Sequence, residues 1–247
     1  MATPSAFPKD WKLIFSDEFD KDGKPNPAKW GYEMGLLRNK ESQYYTDRRE
    51  NARVEGGNLV IEARRESYKG SAYTAASLQT LGKFGFQYGR VEVRAKLPKG
   101  RGTWPAIWMM GVDINIVNWP RCGEIDIMEH VGHEPGVIHA TVHGANASGQ
   151  HYGIGEAVTI PSVSDTFHVY ATEWHPDRLD FFVDGRKFST YPYKADKWAY
   201  DRQFYLLLNF AVGGEWGGQK GIDDTIFPQK YLIDHVRVYQ PPQYRTP

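Results

Sequence analysis

What most limits the fold open to this chain is the rhythm of its sequence. Short runs of alternating apolar and polar residues recur from end to end, cut by Gly, Pro, Asn and Asp, and helical periodicity is nearly absent. The runs at 12–15, 59–63, 88–97, 106–110, 124–129, 137–143, 168–174, 179–183, 187–191, 204–211 and 232–239 read as strands. Asp184-Gly185, between two of them, is the sequence of a two-residue hairpin. So many strands with no break in composition predict an all-β fold: a two-sheet antiparallel β-sandwich of the jelly-roll kind, built as a single domain over residues 1–247. The stretches 38–51, 144–163 and 213–227 read as loops, where ligand contacts usually sit on a rigid sandwich.

One run breaks the rules of a strand. Gly123-Glu124-Ile125-Asp126-Ile127-Met128-Glu129 sets three carboxylates among apolar residues. Strand side chains alternate faces, so Glu124 and Asp126 share one face while Glu129, five positions after Glu124, points to the other. One extra residue in a β-bulge around Ile127 and Met128 returns Glu129 to the first face, and bulges are enriched beside active sites. The same spacing can be the solvated face of an amphipathic element. Here Ile125, Ile127, Met128 and Val131 leave little surface to expose, and β-branched residues favour a strand. Like charges so close raise at least one pKa, which sets a protonated carboxyl beside an ionised one. At a separation of ~5–5.5 Å such a pair suits a retaining glycosidase, one carboxylate attacking the anomeric carbon while the other protonates the leaving oxygen.

Composition excludes several alternatives. Thirty basic residues balance thirty acidic ones, so no global field draws the chain to nucleic acid or an anionic membrane. No apolar run approaches the roughly 20 residues that span a bilayer. Residues 1–8 lack the apolar stretch of a signal peptide, which leaves location to be inferred from function. The single cysteine, Cys122, excludes an intrachain disulfide and a Cys-rich zinc site. It could act as a thiol nucleophile beside a His, but a lone Cys is more often a small buried hydrophobe. Eight Trp and fifteen Tyr are enough to fill a core and also to line a surface that stacks on flat apolar faces of a ligand.

Three further segments bear on a site. Trp104 and Trp108 lie four apart across Pro105, which is read as setting the passage from loop to strand, and the two indoles either flank a sugar cleft or fill the core. His139, Thr141 and His143 alternate along the run after the acids, so an antiparallel neighbour would carry them toward the carboxylates. A zinc cluster of His130, His133, His139 and His143 matches no structural zinc spacing. Gly213-Gly214-Glu215-Trp216-Gly217-Gly218 lacks the Lys-Ser/Thr of a phosphate loop, and its glycines let a loop bend sharply or pass close to a ligand.

Together these motifs resemble glycoside hydrolase family 16 and, within it, the laminarinase-like endo-β-1,3-glucanases. The resemblance runs through Phe15-Ser16-Asp17-Glu18-Phe19, Glu41-Ser42-Gln43-Tyr44-Tyr45-Thr46, Tyr88-Gly89-Arg90, Trp104-Pro105-Ala106-Ile107-Trp108, the acids, Leu208-Asn209-Phe210-Ala211-Val212-Gly213-Gly214 and Asp234-His235-Val236-Arg237-Val238-Tyr239. It implies a concanavalin A-like jelly roll with an open substrate cleft on its concave face. It also implies a retaining double displacement with Glu124 as nucleophile, Glu129 as general acid/base and Asp126 as the support between them. Asn39, Arg90, Trp104, Trp108, His143 and Trp216 are the implied sugar contacts. No cofactor is implied for catalysis; a structural calcium on the convex side would involve Glu18, Gly57 and Asp234. The implied partner is a β-glucan polysaccharide or oligosaccharide, met by a monomer that is secreted, periplasmic or at the cell surface.

Two departures from the family pattern bear on subsite preference: Arg101-Gly102-Thr103 stands where laminarinases carry a bulky apolar residue before the Trp, and Glu215 stands where Asn is expected. The spacing of the acids also fits agarases, carrageenases and porphyranases, whose sulfated galactans go with basic clefts, whereas lichenases use a tighter E-x-D-x-E. A non-catalytic glucan-binding module on the same sandwich is the other class, and it has no reason to keep all three acids.

Overall fold

The computed structural model of the protein describes residues 10–244, so the leader-free reading of residues 1–8 lies outside it. Two sheets face each other. The larger, ten-stranded, runs in spatial order Arg186–Pro192, Arg178–Val183, His168–His175, Gly89–Lys96, Gln229–Gln240, Asn58–Tyr68, Ser71–Ala75 and Gln43–Tyr45, with Lys12–Asp17 and Ala52–Glu55 added beside Gln229–Gln240 and Asn58–Tyr68. The smaller, seven-stranded, runs His151–Thr159, Val137–Ala145, Glu124–Glu129, Thr103–Gly111, Phe204–Val212, Ser77–Gln79 and Gly31–Glu33. The long ladders are antiparallel, and among the described residues only the short Gln43–Tyr45 and Ser71–Ala75 pair runs parallel. This is the jelly-roll sandwich that the alternating runs predict.

The period of two decides what fills the space between the sheets. Ile107 and Met109, Ile125 and Ile127, Ile138 and Val142, and Leu206 and Leu208 project from the smaller sheet into one buried cluster with Val91, Val93, Tyr231, Ile233, Val236 and Val238 of the larger. Each such fully buried side chain contributes about 1.5–3 kcal/mol of transfer free energy. The intervening residues of the smaller sheet, Trp104, Ala106, Trp108 and Met110, project from its other face. They too are buried, in clusters separate from the main core. Thr103–Gly111 and Phe204–Val212 are therefore buried along their whole length, and the outer face of this sheet is a packed floor.

Several boundaries differ from the sequence reading. The stretch read as a loop at 144–163 contains the nine-residue strand His151–Thr159, which pairs with Val137–Ala145 along its length. It is the edge strand of the smaller sheet, with most of its side chains at least partly exposed, and Glu156 interrupts the alternation of Tyr152, Ile154 and Val158 that turns to the core. The 38–51 stretch includes the strand Gln43–Tyr45, and 213–227 includes the short helix Gly214–Gly217 and the 3₁₀ turn Asp224–Ile226. Gly31–Glu33, Ala52–Glu55, Ser71–Ala75 and Ser77–Gln79 are too short to show a period. Pro105 lies inside its strand, opposite Phe210, and its carbonyl accepts the His130 N–H at 3.3 Å. The loop after the acids is pinned at Gly132, where a Cβ would stand 1.8 Å from the Gly100 carbonyl oxygen, a contact only glycine allows.

Candidate active site

The strand Glu124–Glu129 lies between Thr103–Gly111 and Val137–Ala145, and its pairing slips by one residue on both sides. Asp126 is opposite Trp108 and Glu129 opposite Ala106, so three steps on this strand match two on its neighbour. Toward Val137–Ala145 the same slip falls between Asp126, opposite Thr141, and Glu129, opposite His139. The surplus residue is Ile127. It and Met128 both sink into the main core, and the bulge turns Glu129 back to the outer face with Glu124 and Asp126. All three acids meet in a cleft of about 630 Å³ and its narrow floor.

The three carboxyls occupy different surroundings. Glu124 and Glu129 are partly exposed, whereas Asp126 between them is buried, with 2 % of its surface exposed. Burial first, and then the charge of Glu124, push the Asp126 carboxyl well above the ordinary range. Burial also raises Glu129, helped by Asp126 and Glu124 and opposed by a hydrogen bond from Trp104 Nε1 to Glu129 Oε1 at 3.1 Å. The balance favours the protonated form of Glu129, while the indole N–H of Trp119 donates to Glu124 Oε2 at 2.5 Å. Cys122 is buried and its thiol is pushed up to about 12 by burial, then by Glu124 and Asp113, so it is no nucleophile.

Around the acids the walls are aromatic and tied together. Trp108 Nε1 donates to Asn209 Oδ1 at 2.8 Å, Asn209 Nδ2 to the Tyr45 hydroxyl at 2.9 Å, and that hydroxyl to Glu41 Oε2 at 3.0 Å. Glu41 also takes hydrogen bonds from Gln43 and, at 3.2 Å, from Asn39 at the cleft edge. The guanidinium of Arg38 lies 5.1 Å above the Trp108 ring, so that indole is a covered wall rather than a bare stacking platform. Trp216, on the helix Gly214–Gly217, packs edge-on against Trp104 at 5.6 Å and His139 at 4.8 Å. The Asn39 carbonyl accepts the Glu215 N–H at 2.8 Å, which joins this helix to the loop before Gln43–Tyr45. His143 stands opposite Glu124, with Nε2 at 3.3 Å from Asp126 Oδ2.

Of the sugar contacts implied by the sequence, Asn39, Trp104, Trp108, His143 and Trp216 all line this cleft. Arg90 does not, which corrects that expectation. It belongs to Gly89–Lys96 of the larger sheet, opposite Glu173, and is buried. Its guanidinium pairs with Glu92 at 2.7 Å and Glu173 at 2.8 Å and lies 5.0 Å over Phe182, so its place in the motif reflects an ion cluster of the opposite sheet. Sequence reasoning missed Trp119, Arg38 and His151, which also line the cleft. Trp119 and Arg38 sit in irregular segments without periodicity, and His151 begins the edge strand read as a loop. The Trp119-Pro120 pair, five residues before the first acid, was the available signal.

On the larger sheet, Lys12–Asp17 pairs with residues 236–240 of Gln229–Gln240 and Asn58–Tyr68 pairs with 229–233, which brings Glu18 and Gly57 to either side of Asp234. The Glu18 carboxylate is taken by Arg237 at 2.9 and 2.6 Å, and Asp234 Oδ2 by His235 at 2.8 Å and Arg94 at 3.2 Å. A jelly roll with two partly exposed glutamates flanking a buried aspartate on one bulged strand defines a glycoside hydrolase. The glycosyl hydrolases family 16 model matches residues 39–235, and the chain belongs to that family. It is 49% identical over 245 residues to a β-glucanase of Rhodothermus marinus, covering 93% of this chain and 85% of that protein. Among solved structures it superposes on the laminarinase from Rhodothermus marinus with a TM-score of 0.88 at 48% identity, over 93% of this chain and 97% of that one. It matches SCLam, a non-specific endo-β-1,3(4)-glucanase, with a TM-score of 0.89 at 43% identity, over 98% of this chain and 95% of that one.

The buried chain of polar contacts behind Trp108 yields a prediction. Asn209→Ala leaves the buried Trp108 N–H without its acceptor, while the Tyr45 hydroxyl keeps Glu41, and the expected loss is about 1–3 kcal/mol of unfolding free energy. Urea denaturation measures it; an unchanged midpoint would mean that the network adds nothing to stability.

Proposed function

We propose that the protein is a retaining endo-β-glucanase that hydrolyses β-1,3-glucan and mixed-linkage β-1,3-1,4-glucan by double displacement. The observation that carries the reading is the bulge at Ile127, which brings Glu124 and Glu129 to one cleft from a single strand. The names of the relatives support the substrate class. Ionised Glu124 attacks the anomeric carbon while Glu129, kept protonated by burial, gives its proton to the leaving oxygen. In the second half the ionised Glu129 takes a proton from water, which attacks the same carbon and frees Glu124. Asp126, buried between them and raised in pKa, holds the local negative charge down when Glu124 is ionised. Trp104 and Trp119 direct their N–H groups at Glu129 and Glu124 and so orient both carboxyls.

A substrate panel tests this directly. Laminarin and barley mixed-linkage glucan are expected to release oligosaccharides, and agarose and carrageenan none. Cleavage of a galactan alone would replace the reading with a galactan hydrolase, and binding of laminarin without cleavage would make the chain a lectin-like module. Glu124→Gln is expected to lower kcat by roughly 10³-fold or more while oligosaccharide binding persists, and full activity in that variant would remove Glu124 as nucleophile.

The acid carries a pH signature. Catalysis needs Glu129 protonated, so its pKa sets the alkaline limb of kcat/KM. The Trp104 hydrogen bond favours the ionised form, so its loss in Trp104→Phe drives the pKa further up and moves that limb to higher pH. A limb that stays or moves down would show that Trp104 does not act on the acid.

Three further parts belong to the same proposal. A polymeric glucan does not cross a lipid bilayer, so the enzyme works where the polymer is, secreted, in a periplasm or at the cell surface. One chain carries the whole cleft, which suits a monomer. A structural calcium beside Asp234 would draw on the backbone carbonyls of Glu18 and Gly57 and on the Asp234 carboxylate, whose Oδ2 is held by His235 and Arg94, an all-oxygen set of the kind a hard cation takes. Calcium added to chelator-treated protein is then expected to raise Tm and leave kcat unchanged, and a flat Tm would remove the ion from the picture.

A further inference from the structure

We propose that Glu124, Asp126 and His143 form a binding site for a zinc-class divalent cation, and that an ion held there disables the nucleophile. One ligand atom from each residue lies within 4.8 Å of the others. That spacing closes to a coordination shell with small side-chain movements, since zinc takes nitrogen and oxygen donors at about 2.0–2.2 Å.

Two features make this more than a gathering of acids. Asp126 is almost wholly buried, and its Oδ2 is an orphan: it lies 3.3 Å from His143 Nε2 yet has no hydrogen-bond partner. A buried polar atom in that condition is unfavourable by about 1–3 kcal/mol and is relieved by a cation that displaces the carboxyl proton to solvent as it binds. The second feature is the support behind His143. Its Nδ1 is hydrogen-bonded to His151 Nε2 at 3.0 Å, with the two rings nearly parallel at 12°. The other nitrogen, Nε2, is thereby directed at the carboxylates, the arrangement by which metal-binding histidines are oriented and tuned.

The donor set selects the ion. Two carboxylates and an imidazole suit zinc, copper, nickel or cobalt over calcium or magnesium. Glu124 and His143 are partly exposed on the cleft, which gives the ion a route in and room for water to complete its shell. A second acid and histidine group at Glu173, His175 and Asp180 differs in that its buried aspartate is fully held by protein. Its cation position is already served by protein, because Arg178 and Lys187 hold Asp180 and Arg90 holds Glu173.

An ion on Glu124 takes the lone pair that attacks the anomeric carbon, so zinc and glucan exclude each other. This blocking rests on the glucanase reading; the binding itself does not. Isothermal titration of zinc into chelator-treated protein, with cobalt as an optical probe, tests the site. One zinc is expected per chain, with affinity at least tenfold lower in His143→Gln, reduced in His151→Phe and unchanged in His175→Gln, each variant first checked for an intact Tm. Laminarin hydrolysis by the wild-type chain is expected to fall with zinc in competition with substrate, as a rise in apparent KM at constant kcat. No heat of binding, or equal affinity in wild type and His143→Gln, would overturn the site. Zinc that binds with the His143 dependence but leaves hydrolysis untouched would overturn the blocking, and a chain that cleaves no glucan would sink the glucanase reading while the titration still decides the site.

Discussion

Everything at the cleft depends on one surplus residue. A regular strand would send Glu129 into the apolar space between the sheets, where an isolated carboxyl has neither water nor a partner. Insertion of Ile127 puts two consecutive apolar side chains into the core and returns the acid to the cleft, so the local disruption of the ladder satisfies packing and chemistry together. The smaller sheet tolerates the slip because its neighbours on both sides are long and remain in register beyond it. Removal of that residue would leave Glu-Ile-Asp-Met-Glu, a regular alternation that keeps both glutamates on the cleft face with one apolar side chain fewer in the core.

Three carboxyls in one place still have to coexist, and the surroundings decide how. Burial and the charge of Glu124 raise the pKa of Asp126, burial and two acidic neighbours raise that of Glu129, and Glu124 accepts an indole N–H. Depth sets Asp126 apart, and different indole donors, Trp104 on Glu129 and Trp119 on Glu124, mark the two partly exposed glutamates. The chain of hydrogen bonds from Trp108 through Asn209 and Tyr45 to Glu41 extends this order from the floor of the cleft to the loop that carries Asn39. Fixed donors of this sort hold the carboxyls in position before substrate arrives.

The sequence made the sandwich and the acids legible because both rest on strict alternation. Ile125, Ile127 and Met128 leave no face for solvent, so the odd spacing to Glu129 could be read as a bulge before any fold was known. The edge strand His151–Thr159 was opaque for the opposite reason: Gly153, Gly155 and Glu156 break up the alternation by which Tyr152, Ile154 and Val158 turn to the core. With it went His151, whose role exists only through stacking on His143. Arg90 was misplaced because a motif along the chain does not say which of two sheets a strand joins, and burial beside two glutamates gives an arginine the same appearance as a ligand contact. Trp119 and Arg38 lie in segments where no period exists, so only the folded cleft reveals them.

The division of labour between strands and loops has a consequence for how such a chain can change. The acids ride on a central strand locked between neighbours, while Asn39, Trp119 and Trp216 come from a turn, a short connection and a four-residue helix. Reactivity is thus inherited with the framework, and the recognition surface is held by parts that can be lengthened, shortened or exchanged without disturbing it. A lineage built this way can move from one polysaccharide to another by remodelling its rim, keeping the bond-breaking apparatus as a fixed inheritance.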